Sequence, residues 1–177
     1  TASGISVNAA AGGDEIPEKL GSLNVDREST EAIRAATTEE RFLTPLVSAI
    51  PDHPTSPSPR EFLGYIAGAP GEMTNVNEIH AYYRAIAAAT PRAKVVSLGT
   101  TAEGREMIAL IIADEATIAN LDDYVARLNA LADPRKTGPE AADKIIAEAK
   151  PIYWITAGLH STEFGPPETV LEIAYRL

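Results

Sequence analysis

Residues Pro151–Glu168 read PIYWITAGLHSTEFGPPE. The apolar stretch 151–157, bounded by Pro151 and Gly158, predicts a strand buried between neighbours, with Trp154 in the core. His160-Ser161-Thr162-Glu163 follows the strand's carboxyl end. Pro166-Pro167 then opens a helix carrying Val170, Ile173, Ala174 and Leu177 on one face. Crevices at the carboxyl ends of strands in open α/β sheets are where ligands bind. A histidine and a carboxylate three apart can turn toward one point there. Imidazole nitrogen and carboxylate oxygen are both zinc donors, and with a second histidine they leave one position for water. The same spacing also describes a loop histidine with a glutamate near a helix N-terminus, where the macrodipole favours negative charge. Spacing alone leaves both readings open.

Upstream, Asn75 and Glu78 form a helix cap, and Ile79, Tyr82, Tyr83 and Ile86 give an amphipathic stripe ending near Thr90-Pro91. Lys94–Leu98 and Glu106–Ala113 predict two strands around the turn Gly99–Gly104. That turn has the glycine spacing of a phosphate loop but lacks the Lys-Ser/Thr pair and the ensuing helix, so it reads as a hairpin connection. Leu121, Tyr124, Val125 and Leu128 mark a helix stopped by Asp133-Pro134. Thr137 and Glu140 predict a capping box for a further helix carrying Ala142, Ile145, Ile146 and Ala149. The order β-β-α-α-β-α predicts an α/β fold with a mixed sheet and flanking helices.

The front of the chain differs in composition. Residues 1–13, TASGISVNAAAGG, predict a flexible leader, and 14–74 an N-terminal extension with a short helix near Thr30–Ala36. Six of the thirteen prolines fall within 45–70, predicting an extended strap that packs over a domain rather than a core element. Residues 75–177 form the regular part. The periodicity of the last helix continues to Leu177 without a Gly or Asn cap, and the sheet has few strands to cover itself. The expectation is the N-terminal part of a larger protein, truncated before its domain is complete.

Composition bounds the chemistry. Fifteen basic against 25 acidic residues give a net charge of −10 over 177 residues, which argues against gripping nucleic acid or anionic lipid. The chain has no cysteine, which excludes a disulfide framework, a thiolate metal site and a cysteine nucleophile. No apolar run approaches the roughly 20 residues that span a bilayer. A start at Thr1 with neither a basic n-region nor an apolar h-region suits a processed or trimmed chain. A secreted or periplasmic location is the expectation. Imidazole chemistry must draw on His53, His80 and His160. His80 sits at a helix start beside Tyr82 and Tyr83 and reads as a packing or surface residue; His53, in the strap, reads as solvated.

Taken in order, EIHAYYRAIAAATP, KVVSLG, TTAEGRE, MIALIIAD and PIYWITAGLHSTEFGPPE resemble the zinc carboxypeptidase family, the relatives of carboxypeptidases A and B. The resemblance covers 75–177 and rests on two motifs, the Gly…Gly-Arg turn and Gly-x-His-x-x-Glu, in family order and distance. It implies that His160 and Glu163 are ligands of one Zn2+. It also implies a third histidine ligand, substrate-carboxylate contacts and a general-base glutamate downstream of Leu177, so no catalytic residue is assigned within the chain. The implied activity is hydrolysis of C-terminal peptide bonds by zinc-activated water, with peptide or protein C-termini as substrate and the remainder of its own domain as partner. The isolated 177 residues would hold zinc weakly or not at all and would be inactive. Thr162 and Phe164 stand where many relatives carry arginine and tryptophan, and the insertion at 115–149 is longer than in small digestive relatives. The alternatives are a zinc amidohydrolase or deacylase of related fold, or a non-catalytic binding protein that kept the scaffold.

Overall fold

The computed structural model describes residues 16–177; the predicted leader 1–13 lies outside the described residues. In chain order the elements are β1 (Lys19–Leu20), β2 (Leu23–Val25), α1 (Arg27–Ala36), β3 (Pro51–Asp52), α2 (Pro59–Leu63), α3 (Val76–Ala89), β4 (Ala93–Thr100), β5 (Glu106–Ile112), α4 (Glu115–Ala119), α5 (Leu121–Ala132), α6 (Pro139–Glu148) and α7 (Gly165–Arg176). Helices and two small sheets make the protein α/β, and every strand pairing in both sheets is antiparallel. Contacts divide the described residues into two units, 16–90 with 157–177, and 91–156.

The first unit is built around tyrosines that reach loops. Asp26 caps α1 by accepting from the Ser29 amide at 2.9 Å, and Ser58 and Asn75 close capping boxes with Glu61 and Glu78 at the starts of α2 and α3. Caps of this kind each stabilise a helix by about 1 kcal/mol. The predicted Asn75 cap and the stripe of α3 are both present, with Tyr82 and Ile86 buried. The Tyr82 ring is fully buried; it lies 5.3 Å from the Phe62 ring and donates to the Pro57 carbonyl at 3.0 Å. On α7 the buried residues are Glu168, Leu171, Ala174 and Tyr175. The predicted face of 170, 173, 174 and 177 is therefore rotated: only Ala174 is buried, and Leu177 is exposed. The Tyr175 hydroxyl donates to the Pro51 carbonyl at 2.8 Å and accepts from the His53 amide at 3.0 Å. Pro51 can supply only a carbonyl, and that carbonyl becomes the anchor.

The proline-rich stretch packs down onto the first unit: most of 45–70 is exposed or half-buried, while Ala49, Ile50, Ser56, Ser58, Pro59 and Ile66 are buried. The Ile50 amide donates to Thr30 Oγ1 at 3.1 Å, and the Asp26 amide to the Ile50 carbonyl at 3.0 Å. Proline's missing donor leaves fewer groups to satisfy inside, which suits irregular chain to burial.

In the second unit β4 and β5 form the predicted hairpin, with a register shift between Ser97 and Gly99. The 101–105 connection is closed by Thr101 N–H to the Arg105 carbonyl at 2.7 Å, as a hairpin rather than a phosphate loop. Helices α4, α5 and α6 follow and bury no residue fully. The predicted Thr137–Glu140 capping box does not form. Gly138 is the N-cap, and the Thr137 hydroxyl instead donates to the Ala130 carbonyl at 2.7 Å, tying the linker back to α5.

The largest departure is 151–157. These residues belong to no strand or helix, and Ile152, Tyr153, Trp154 and Ile155 are exposed, Tyr153 at 89%. Apolar patterning signals burial, but a strand forms only where another strand offers a ladder of hydrogen bonds. None among the described residues pairs with this one. Trp154, expected in the core, is exposed for the same reason.

Candidate metal centre

The HSTE loop is fixed from both ends. Before it, Gly158 has φ +73°, a left-handed conformation that favours glycine. A Cβ there would lie 2.9 Å from Pro167 Cγ and 3.7 Å from the Glu163 carbonyl oxygen, so the absence of a side chain lets the loop pack against the first turn of α7. After it, Gly165, Pro166 and Pro167 start α7 without any side-chain cap.

Within the loop, Glu163 folds back on His160. The Glu163 amide donates to the His160 carbonyl at 3.1 Å. One carboxylate oxygen accepts from the His160 amide at 3.1 Å, and the other lies 2.5 Å from His160 Nδ1. The hydrogen bond from the His160 side chain, then that from its amide, hold the Glu163 carboxyl below the usual carboxylate range. The imidazole is largely exposed and the carboxylate partly so, at 70% and 37%.

Both residues line a cavity of about 250 Å³ within the first unit. Segment Met73-Thr74-Asn75 also lines it, as do Pro167 and Glu168 from α7. The predicted pair thus lies together, at a cavity, after residues 151–157 and before a helix. Among the described residues no group of three or more His, Cys, Asp or Glu side chains could hold a metal ion. His53 is not near this role: its Nδ1 accepts from the Ser56 amide at 3.1 Å, folding the 53–56 turn. His80 is half-buried on α3, and its carbonyl accepts from Arg84.

The donor set suits zinc. Ligands at about 2.0–2.1 Å from one tetrahedral ion stand about 3.3 Å apart. The facing Nδ1 and carboxylate oxygen need to spread by less than an ångström to meet that spacing, from a hydrogen bond that either atom can exchange for a metal bond.

Sequence reasoning missed Glu168. It is a buried carboxylate in the first turn of α7, accepting from the amides of Gly68 and Thr74 and from the Thr74 hydroxyl. Its neighbours on the buried face are Leu171 and Tyr175, three and seven positions on, whereas the predicted stripe of 170, 173, 174 and 177 is centred on another side of the helix, so the pattern did not point to it.

A family model described as zinc carboxypeptidase matches residues 79–177, more than half of the chain. No curated protein and no solved structure matches it.

Proposed function

We propose that this chain, which belongs to the zinc carboxypeptidase family, supplies the first two zinc ligands, His160 and Glu163, of an enzyme that removes residues from peptide C-termini. Hydrolysis of peptides with Zn2+ is the chemistry of the family; the assignment of these two residues is our own. The observation that carries it is the pairing of Nδ1 and carboxylate 2.5 Å apart at a cavity, inside the matched region.

Zn2+, when bound, polarises the scissile carbonyl and lowers the pKa of its water to about 7. The chain's own part is to hold the ligands ready. Gly158 and Pro167 fix the loop, and the backbone bonds between His160 and Glu163 keep imidazole and carboxylate converged without a metal. The carboxylate ligates as the ionised group, the ordinary state of a glutamate at neutral pH. A catalytic site takes three protein ligands, so a third ligand and a base that takes the water's proton come from outside these 177 residues. Alone, the chain binds zinc weakly and releases no C-terminal residue.

The test is zinc content and C-terminal residue release in the complete protein and in its His160→Ala and Glu163→Ala variants. Both properties are lost together in each variant while the helical circular dichroism stays. Undiminished zinc in His160→Ala refutes the ligand assignment. Release of acyl groups from amides with no release of C-terminal residues replaces the peptidase by a deacylase.

A further inference from the structure

We infer that Glu168 is a positioning residue that clamps segment 68–74 to α7 and so sets the part of the cavity shared with the metal ligands; the inference rests on the function proposed above. Its carboxylate is buried and accepts three hydrogen bonds from residues about a hundred positions earlier in the chain. The Thr74 amide donates to one oxygen at 2.6 Å. The Gly68 amide and the Thr74 hydroxyl donate to the other at 3.1 and 3.0 Å. The Thr74 hydroxyl has a single proton and gives it to the carboxylate, so the Tyr65 hydroxyl, 3.2 Å away, is the donor to Thr74. Tyr65, Thr74 and Glu168 therefore form one directed chain.

Three of the roughly four acceptor sites of the carboxylate are filled by protein donors. The arrangement fits an anchor and not a base. What it anchors matters. Met73, Thr74 and Asn75 line the cavity that His160 and Glu163 also line, and Pro167, the residue before Glu168, packs under Gly158 at the start of the ligand loop. One turn of α7 thus meets both stretches that shape the site. No hydrogen bond runs from Glu168 to the ligands themselves, so the clamp governs substrate placement rather than metal retention.

Glu168→Gln keeps the shape but replaces one acceptor oxygen by a donor, which faces a donor whichever way the amide turns. Thr74→Val is the milder second variant, removing the hydroxyl and keeping its backbone amide. In the complete protein, Glu168→Gln is expected to speed amide hydrogen exchange across 68–74 by about ten- to hundredfold, the scale of a lost hydrogen bond to a charged group. Zinc content stays at the wild-type level. KM for a peptide substrate rises about tenfold with kcat changed less than threefold, and Thr74→Val moves the same readouts less. Unchanged exchange in both variants overturns the clamp. A fall in kcat and a changed pH profile, with KM and exchange unmoved, overturns positioning and makes Glu168 a catalytic group. An inactive wild-type protein whose Glu168→Gln variant shows the expected exchange refutes the peptidase reading and leaves the clamp standing, because exchange is read without turnover.

Discussion

The two units of the chain are made of similar helices and hold them differently. In the unit of 16–90 with 157–177, Tyr82 and Leu171 are fully enclosed and tyrosine hydroxyls from α3 and α7 end on backbone groups of distant loops. In the unit of 91–156, α4, α5 and α6 have no buried residue. At the surface Arg127 pairs with Asp123 of its own helix and with Glu148 of α6, and Lys150, just past α6, pairs with Asp114, the cap of α4. Exposed ion pairs contribute little, typically under about 1 kcal/mol each, whereas an enclosed aromatic or leucine contributes several. Helical pattern alone therefore does not report where stability resides; enclosure does.

Truncating the enclosed side chains tests that contrast most severely. Leu171→Ala is expected to destabilise by about 2–5 kcal/mol and Tyr82→Ala by at least as much, against under about 1 kcal/mol for the half-buried Leu128 of α5. Guanidinium unfolding of the three variants decides it, and equal losses at Leu171 and Leu128 would erase the distinction between the units.

Alkali should act on the first unit next. Burial pushes the Tyr83 and Tyr175 hydroxyls up to about 12 from 10.0, and burial raises Tyr82 further still. A raised folded-state value gives stability that is complete below pH 10 and lost as pH climbs through about 12. Tyrosinate absorbance and melting temperature, followed together from pH 9 to 12.5, should show these hydroxyls ionising only as the unit unfolds. Ionisation of Tyr175 well before any loss of structure would contradict its enclosure.

A smaller effect is expected at Gly158. An alanine there must hold a left-handed backbone and press on Pro167, costing about 1–2 kcal/mol and shifting the His160–Glu163 loop. Heteronuclear NMR of Gly158→Ala should show changes centred on 158–168. A spectrum altered equally in the second unit would not fit.

The smallest effect belongs to the second unit. Hydrogen bonds from the Lys150 ammonium, then from Thr117, hold the Asp114 carboxyl well below the usual carboxylate range. A lowered folded-state value means the tether is still intact at the ordinary carboxylate pKa and is released only as pH falls through that lowered value. Acid titration should therefore shift the Lys150 and Thr117 resonances late, and Asp114→Asn should leave the unfolding midpoint unmoved.

How much of this was legible in the sequence follows the range of the forces involved. The Asn75–Glu78 capping box, the 93–112 hairpin and the prolines that open α7 depend on residues within a few positions of one another, and all appear where the pattern puts them. Residues 151–157 carried an equally clear apolar signal, but pairing is a property of two segments, and the pattern of one cannot supply the other. Glu168 escaped because an acidic residue in a first helical turn already has a sufficient explanation in the macrodipole; its partners lie 94 and 100 residues away. The HSTE loop was legible because its geometry is local, His160 and Glu163 bonding each other across three residues.

The Tyr175 hydroxyl that joins Pro51 and His53 across more than 120 residues sets a schedule for synthesis. The unit containing α1 and α3 is discontinuous, with 91–156 inserted before its last helix. At about 5–20 residues per second, a ribosome needs roughly 4–17 s to pass from Thr90 to Leu177. During that interval α3 and α2 lack α7, while the β4–β5 hairpin, needing only its own residues, can form within microseconds of emerging. The nascent chain thus carries an unfinished apolar surface for seconds, and a holdase that recognises such surfaces has its longest opportunity before α7 has emerged.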